Sequence, residues 1–171
     1  MRFRLTALGV LLLFSMAGCE SSNSLDGVSL NEPFPKMALM TLEGEPFQVT
    51  GLQDKVVVLK LWATWCSICI ESEPAFKAFI KKLNRDKVEV VSLSVDGDVN
   101  LVREYLLDHV TDHLQLLDVG MKQTIKVLGV DRIPLVFIID HQGILRHYVL
   151  GRSPWGDDMQ KIVQNLTSLA P

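Results

Sequence analysis

Short apolar runs alternate with polar and amphipathic segments along the chain, and this pattern predicts an alternation of strands and helices. Lys55–Trp62 (KVVVLKLW) is dominated by valine and leucine, which is typical of a strand buried on both faces of a sheet. Val88–Val95 (VEVVSLSV) has the same character and predicts a second central strand. Upstream, residues 37–42 and 46–49 flank Glu43-Gly44-Glu45, which predicts a small hairpin with its turn at the glycine.

Four further segments are predicted to be helical, chiefly because apolar residues recur there at spacings of three and four. They are residues 66–84, 99–110, 121–128 and 155–169. Pro74 lies inside the first of them. Because proline removes a backbone hydrogen bond, we expect that helix to bend.

Three more strands complete the pattern, at residues 114–117, 135–139 and 144–150, and a hairpin turn joins the last two. The predicted order β-α-β-α-β-α-β-β-α gives an α/β fold, in which helices cover both faces of a mixed sheet. A chain of 171 residues without an internal repeat has room for one domain of ordinary size.

Composition and charge agree with one globular domain and argue against nucleic acid as a partner. Hydrophobic residues make up 48% of the chain and charged residues 22%. The formal net charge is -3, and the body of the chain has no run of lysine or arginine. Binding to phosphates requires a basic surface, so no nucleic-acid role is predicted.

The N-terminal segment has the pattern of an export signal. A basic start is followed by the apolar run Leu5–Met16 and then by small residues. This run is too short to be comfortable as a permanent membrane-spanning helix. Met16-Ala17-Gly18-Cys19 resembles the lipobox of bacterial lipoproteins, which implies cleavage before Cys19 and lipidation of that cysteine. The alternative is an ordinary cleaved signal in which Cys19 has no such role.

On this basis the chain divides into a signal peptide (1–18), a tether (19–32) and a domain (33–171). The tether is mostly polar and has almost nothing to bury. Cleavage removes Arg2 and Arg4 from the 17 cationic residues and leaves all 20 acidic ones, so the mature net charge is -5.

The cysteines offer one pair for thiol chemistry, because lipidation withdraws Cys19 from the three that the chain contains. Cys66 and Cys69 stand where a buried strand passes into a helix. A disulfide that closes so small a loop removes little chain entropy, so reactivity explains the pair better than stability does. Unpaired N–H groups at a helix N-terminus lower the pKa of a thiol there, which predicts Cys66 as the nucleophile. Cys69, on the first turn, is predicted to be the resolving cysteine.

Residues 33–169 resemble the thioredoxin superfamily, and more closely its exported TlpA/ResA-like branch. The resemblance rests on the segment W-x-x-W-C-x-x-C, on Pro74 five residues after the second cysteine, on Ile133-Pro134 before a strand, and on the N-terminal hairpin. It implies a thioredoxin-like fold, with a central mixed sheet and helices on both faces. It also implies that Pro134 is cis and lies beside the cysteines, and that Ile133 offers backbone hydrogen bonds to an extended substrate.

The two tryptophans of the motif are expected to differ. Trp62 belongs to the strand and is predicted to lie in the core, whereas Trp65, next to Cys66, is predicted to line the active-site surface and to contact substrate.

Three departures from the family pattern concern its acid–base helper and its redox potential. Lys60 stands where thioredoxin has a buried aspartate, and Ser72 stands where many TlpA/ResA-like proteins have a glutamate. Glu73 or Lys60 can substitute for the helper, but a solvated or snorkelling side chain is the favoured interpretation for each. Ser67-Ile68, between the cysteines, matches no subgroup from which a potential can be inferred.

A metal-binding role for the two cysteines is less well supported by the sequence than a redox role, and no metal or cofactor is predicted. A zinc site needs two ligands besides the Cys-x-x-Cys pair. His109 and His113 are four residues apart, but a solvated surface is the favoured interpretation for both. A copper chaperone of related fold is the main competitor from another class, although that family uses Cys-x-x-x-Cys and a distant histidine.

The resulting hypothesis is a protein disulfide oxidoreductase held by lipidated Cys19 on the periplasmic side of a bacterial membrane, inner or outer. The resemblance favours a reductase of disulfides in exported proteins, for example in cytochrome c maturation. An oxidase or isomerase remains open. The expected partners are exported protein substrates and a membrane electron donor, and the protein is expected to be a monomer.

Overall fold

A seven-stranded mixed sheet forms the centre of the computed structural model, which describes residues 25–52, 54–152 and 155–170. Its spatial order is β2-β1-β5-β4-β3-β6-β7. Strands β3, β4 and β5 are parallel, whereas β6 runs antiparallel to β3, and β1 runs antiparallel to β5. The strands are β1 (Leu39–Thr41), β2 (Pro46–Phe47), β3 (Val56–Trp62), β4 (Val88–Ser94), β5 (Leu114–Leu117), β6 (Leu135–Ile139) and β7 (Leu145–Leu150).

Within the described ranges, five α-helices pack on this sheet. They are α1 (Ser67–Glu71), α2 (Glu73–Ile80), α3 (Val99–Asp108), α4 (Lys122–Leu128) and α5 (Asp157–Leu169). Short 3-10 turns lie at Val49–Gly51 and Val119–Met121.

The two faces of the sheet bury different helices. Alternate residues of β3 separate them: Val57 and Leu59 pack in a cluster with Leu128 of α4. Val56 packs in the opposite cluster, which also contains Phe76 of α2 and residues of α5. Since each face carries helices, the predicted thioredoxin-like architecture, including its N-terminal hairpin, is confirmed.

The helix predicted at residues 66–84 is divided and shorter than expected. It breaks at Ser72, two residues before Pro74, and α2 ends at Ile80. Pro74 has no N–H to donate to a carbonyl of the preceding turn, so the chain ends one helix and starts another. The proline then occupies the first turn of α2, where the missing N–H has no cost.

The packed domain begins before residue 33, so the prediction that residues 19–32 form a tether is wrong for the later part of that segment. Val28 is buried in the core. The Gly27 N–H donates to the Leu128 carbonyl at 3.1 Å, and the Asn31 N–H donates to the Leu145 carbonyl at 2.8 Å. A Cβ at Gly27 would lie 2.2 Å from the Val127 carbonyl oxygen, so this close approach requires glycine.

The predicted signal peptide and Cys19 lie outside the described residues. Within the described part of the chain, no helix is both long enough and apolar enough to cross a membrane.

Candidate active site

Cys66 and Cys69 form a disulfide at the point where β3 passes into α1. Cys66 is the N-cap residue of α1, and its sulfur accepts a hydrogen bond from the Cys69 N–H at 3.3 Å. Cys66 retains 8% of its surface in solvent and Cys69 only 1%. A thiolate at Cys66 would keep this N–H donor, which stabilises the charged sulfur.

A buried carboxylate holds the loop that precedes Cys66. Asp96, fully buried just after β4, accepts hydrogen bonds from the Thr64 N–H at 3.0 Å and from the Thr64 hydroxyl at 2.8 Å. The Ser94 hydroxyl donates to the same carboxylate at 2.7 Å. Asp96 was not among the residues predicted from the sequence to belong to the site. Its position directly after a strand parallel to β3 was the available signal, since parallel strands end at the same edge of the sheet.

The Ile133-Pro134 peptide bond is cis, as the resemblance implied. Pro134 directly precedes β6, whose Leu135 pairs with Leu61 of β3, so the sheet register brings the proline to the end of β3 from which Cys66 follows. Ile133 packs against the cluster that contains both cysteines.

The two tryptophans of the motif lie as the sequence predicted. Trp65 is 65% exposed beside Cys66, and Ile68 between the cysteines is 41% exposed, so both present apolar surface next to the disulfide. Trp62 is buried and its ring lies 5.1 Å from that of Tyr105.

Lys60 is buried and paired, so the favoured interpretation of a snorkelling side chain is wrong. Its side chain is 3% exposed, and its ammonium lies 2.5 Å from a carboxylate oxygen of Glu73. The ammonium also lies 4.4 Å from the centroid of the Phe76 ring. Burial lowers the pKa of Lys60, and the Glu73 carboxylate opposes that effect. Glu73, for which the same interpretation was favoured, is instead the partner of a buried cation.

A small cavity adjoins this ion pair on the disulfide side of the sheet. Lys60 and Glu73 line it together with Trp62, Tyr105 and His109. Its volume of about 10 Å³ is close to the smallest that holds one water molecule. Because Trp62 also belongs to the cluster around the cysteines, the ion pair and the disulfide share one layer of the molecule.

His113 is buried, so the expectation of a solvated histidine is wrong for it. Its side chain is 2% exposed, and its Nε2 lies 2.8 Å from the Ser92 hydroxyl. Burial lowers the pKa of His113 to about 4. His109 is half-buried, with its ring stacked on Tyr105. The described residues contain no group of three or more His, Cys, Asp or Glu side chains placed to hold a metal ion.

A thioredoxin-like sheet with a Cys-x-x-Cys disulfide at the N-cap of the helix after its central strand defines the class of thiol–disulfide oxidoreductases. The chain belongs to the Redoxin family, whose sequence model matches residues 29–166. It is a TlpA/ResA-like member of the thioredoxin superfamily.

Known relatives agree with this assignment. Thiol-disulfide oxidoreductase ResA of Bacillus thuringiensis is 26% identical over 124 residues, which cover 72% of this chain and 71% of that protein. Thiol:disulfide interchange protein DsbE of Yersinia pestis is 30% identical over 134 residues, which cover 77% of this chain and 69% of that protein.

Solved structures show the same fold. A thiol:disulfide interchange protein from Chlorobium tepidum gives a TM-score of 0.66 at 21% identity, covering 82% of this chain and 99% of that one. A thiol:disulfide interchange protein from Bacteroides sp. gives a TM-score of 0.69 at 16% identity, covering 83% of this chain and 92% of that one.

Proposed function

We propose that the protein reduces disulfides in exported proteins while anchored to a bacterial membrane, with Cys66 as nucleophile and Cys69 as resolving cysteine. The observation that carries this proposal is the Cys66–Cys69 disulfide, with Cys66 at the N-cap of α1 and bonded to the Cys69 N–H. Cys66 is also the more exposed of the two residues, which suits the sulfur that meets a substrate first.

The reaction transfers two electrons from the protein to the substrate. The Cys66 thiolate attacks one sulfur of a substrate disulfide, and the other substrate sulfur leaves as a thiolate that takes a proton from water. The Cys69 thiol gives its proton to water, and the resulting thiolate attacks the Cys66 sulfur of the mixed disulfide. This step forms the Cys66–Cys69 disulfide, and the second substrate sulfur leaves as a thiolate that takes a proton from water.

The proposed substrate surface surrounds the disulfide. Trp65 supplies exposed apolar area beside Cys66, and Pro134 and Ile133 lie at the same edge of the sheet. An extended substrate segment would pack on Trp65 and exchange backbone hydrogen bonds with Ile133. Ile68, exposed between the cysteines, adds to this apolar surface.

The direction of electron flow rests on resemblance. The relatives named ResA and DsbE are called a thiol-disulfide oxidoreductase and a thiol:disulfide interchange protein. The TlpA/ResA-like branch favours reduction, with cytochrome c maturation as one setting. A reductase outside the cytoplasm must itself be reduced, so we propose a membrane electron donor that converts the Cys66–Cys69 disulfide back to the dithiol.

The proposed anchor is a lipid on Cys19 after removal of residues 1–18. The polar residues after Cys19 would link the lipid to the packed domain, which would act as a monomer on the periplasmic side of the membrane. Labelling of the full chain with a fatty-acid analogue tests this, with Cys19→Ala as the control. Label on the wild type and none on the variant is expected, and equal labelling would exclude the anchor.

The reduction potential of residues 20–171 tests the direction, measured in dithiothreitol and glutathione buffers with Cys66→Ser and Cys69→Ser as controls. A reversible two-electron couple at or below about -250 mV is expected of a reductase. A value near about -120 mV would identify an oxidant instead. No reversible couple, with copper bound at the cysteines, would replace the proposal by the copper-chaperone alternative.

A further inference from the structure

A cleft lies at the edge of the sheet opposite the disulfide. Cys66 follows the carboxyl end of β3, whereas the cleft opens beside the amino ends of β4 and β5. Its walls are the C-terminal half of α2, the following loop at Leu83 and Arg85, and residues 110–113 before β5. The volume is about 380 Å³, within the range of pockets that hold small organic ligands.

Part of the lining is apolar. Ile80 is buried at the base, Leu83 packs partly against the same core cluster, and Val110 is 77% exposed at the rim. A nonpolar ligand group that covered Val110 would remove a large aliphatic side chain from water.

The remaining lining carries a positive excess. Lys77, Lys81 and Arg85 face Asp112, the one carboxylate among the lining residues that the structure describes. Asp112 is 86% exposed, and its carboxylate lies 3.9 Å from the Arg85 guanidinium. That guanidinium also lies 3.7 Å from the Glu89 carboxylate outside the lining, so Arg85 is partly neutralised. The ammonium of Lys81 has no carboxylate partner among the described residues. This excess of cations is notable on a chain whose formal net charge is -3.

His113 lies at the base and does not add to this charge. Its low pKa keeps the imidazole neutral at neutral pH, and its Nδ1 has no hydrogen-bond partner in the described part of the chain. The positive potential of the cleft therefore comes chiefly from Lys77 and Lys81, because Arg85 lies near two carboxylates.

We propose that this cleft binds a small organic anion with an apolar body, such as a carboxylate on a short hydrocarbon chain. The acid group would lie among Lys77, Lys81 and Arg85, and the hydrocarbon would cover Ile80 and Val110. Because the cleft and the disulfide occupy opposite edges of the sheet, the oxidised and reduced proteins should bind the anion alike.

Octanoate and 1-octanol are suitable probes, since they share an apolar chain and differ in charge. Titration of the 15N-labelled protein with each, followed by amide chemical shifts, gives both the affinity and the location. Octanoate should bind saturably, shift the amides of residues 77–85 and 110–113, and bind about tenfold more weakly when salt rises from 20 mM to 0.5 M. The neutral alcohol should bind at least about fivefold more weakly than octanoate.

Lys81→Gln and Lys82→Gln form a matched pair of variants. Both lysines are exposed at the end of α2, but only Lys81 lines the cleft. Lys81→Gln should weaken octanoate binding about tenfold, whereas Lys82→Gln should change it less than about twofold. Val110→Asp, at an exposed position, should also weaken it about tenfold, because it places a like charge at the rim.

Three outcomes would overturn the proposal. They are no saturable shift with octanoate, shifts confined to the surface around Trp65, and equal effects of Lys81→Gln and Lys82→Gln. Circular dichroism and the rate of thiol exchange at Cys66 check that the variants are folded, and neither should change.

Discussion

At the scale of single residues, Lys60 and Glu73 form a pair rather than two solvated side chains. Lys60 loses nearly all of its hydration, and Glu73 and the Phe76 ring are the groups that replace it. A buried ion pair gains little net stability over apolar residues, but loss of one partner leaves a charge without compensation. The pair should therefore respond to mutation as a unit.

Glu73→Gln should destabilise the oxidised protein by roughly 3 kcal/mol at pH 7, because it strands the Lys60 ammonium. Adding Lys60→Met should restore at least about 1 kcal/mol, since the double variant has no buried charge. Urea unfolding followed by fluorescence measures both. Glu71→Gln is the control: its ion pair with Arg152 is exposed, so its effect should stay within about 0.5 kcal/mol. If the effects of Glu73→Gln and Lys60→Met on the free energy of unfolding were strictly additive, the pairing would be contradicted.

His113 should make the stability depend on pH. Its pKa is about 4 in the folded protein, against an ordinary value of 6.5. Between these values the unfolded chain binds more protons than the folded one, so stability is lost as the pH falls from 7 towards 4. The loss should reach up to roughly 3 kcal/mol.

His113→Gln should remove this part of the pH dependence, because a glutamine can bond to Ser92 and does not titrate. Urea unfolding at pH 7.0, 5.5 and 4.5 compares it with the wild type. His147→Gln, which changes a half-buried histidine on β7, is the control and should leave the pH dependence in place. If His113→Gln and wild type lost stability in parallel, His113 would not be the responsible group.

At the scale of secondary-structure elements, the segment directly after β4 holds the turn between β3 and α1. The Asp96 carboxylate accepts both the N–H and the hydroxyl of Thr64, two residues before Cys66. These bonds connect the ends of two neighbouring parallel strands, so the loop that leads to Cys66 is held by a residue thirty positions further along the chain than Cys66.

Asp96→Ala should cost about 2 kcal/mol of stability, because it leaves the buried Ser94 hydroxyl and the half-buried donors of Thr64 without acceptors. It should also slow reduction of an insulin disulfide, since the loop before Cys66 loses its anchor. Thr64→Val removes only the hydroxyl and should have a smaller effect on both measurements. Asp98→Asn, at the N-cap of α3, keeps a capping group and should leave insulin reduction unchanged. An unchanged rate in Asp96→Ala would show that the loop does not depend on this anchor.

Strands and helices that are marked by a pattern in consecutive residues could be predicted from the sequence. Polar contacts between residues far apart in the chain could not. Strands β3 and β4 are rich in valine and leucine, and the predicted bounds differ from the observed ones by at most one residue at either end. The pairing of Lys60 with Glu73 depends on how α2 crosses the sheet, which no residue pattern specifies. The burial of Val28 similarly depends on contacts with the end of α4 that exist only in the folded chain.

At the scale of the whole molecule, the redox chemistry and the stability of the fold are linked. Forming the Cys66–Cys69 bond in the folded protein and in the unfolded chain closes a thermodynamic cycle. Every 30 mV by which folding lowers the potential of this pair therefore adds about 1.4 kcal/mol to the stability of the oxidised form relative to the reduced form. A reductase requires a folded state that favours the disulfide, whereas a strong oxidant requires one that favours the dithiol.

The oxidised protein should accordingly resist urea better than the protein reduced with dithiothreitol, by at least about 1 kcal/mol. Unfolding of residues 20–171 in the two states at pH 7, with matched tryptophan fluorescence and circular dichroism, measures the difference directly. The Cys66→Ser, Cys69→Ser double variant is the control, because it cannot form the bond and should give the same curve with and without dithiothreitol. A reduced form more stable than the oxidised form would reverse the proposed direction and make the protein an oxidant of exported thiols, while leaving the assignment of the two cysteines intact.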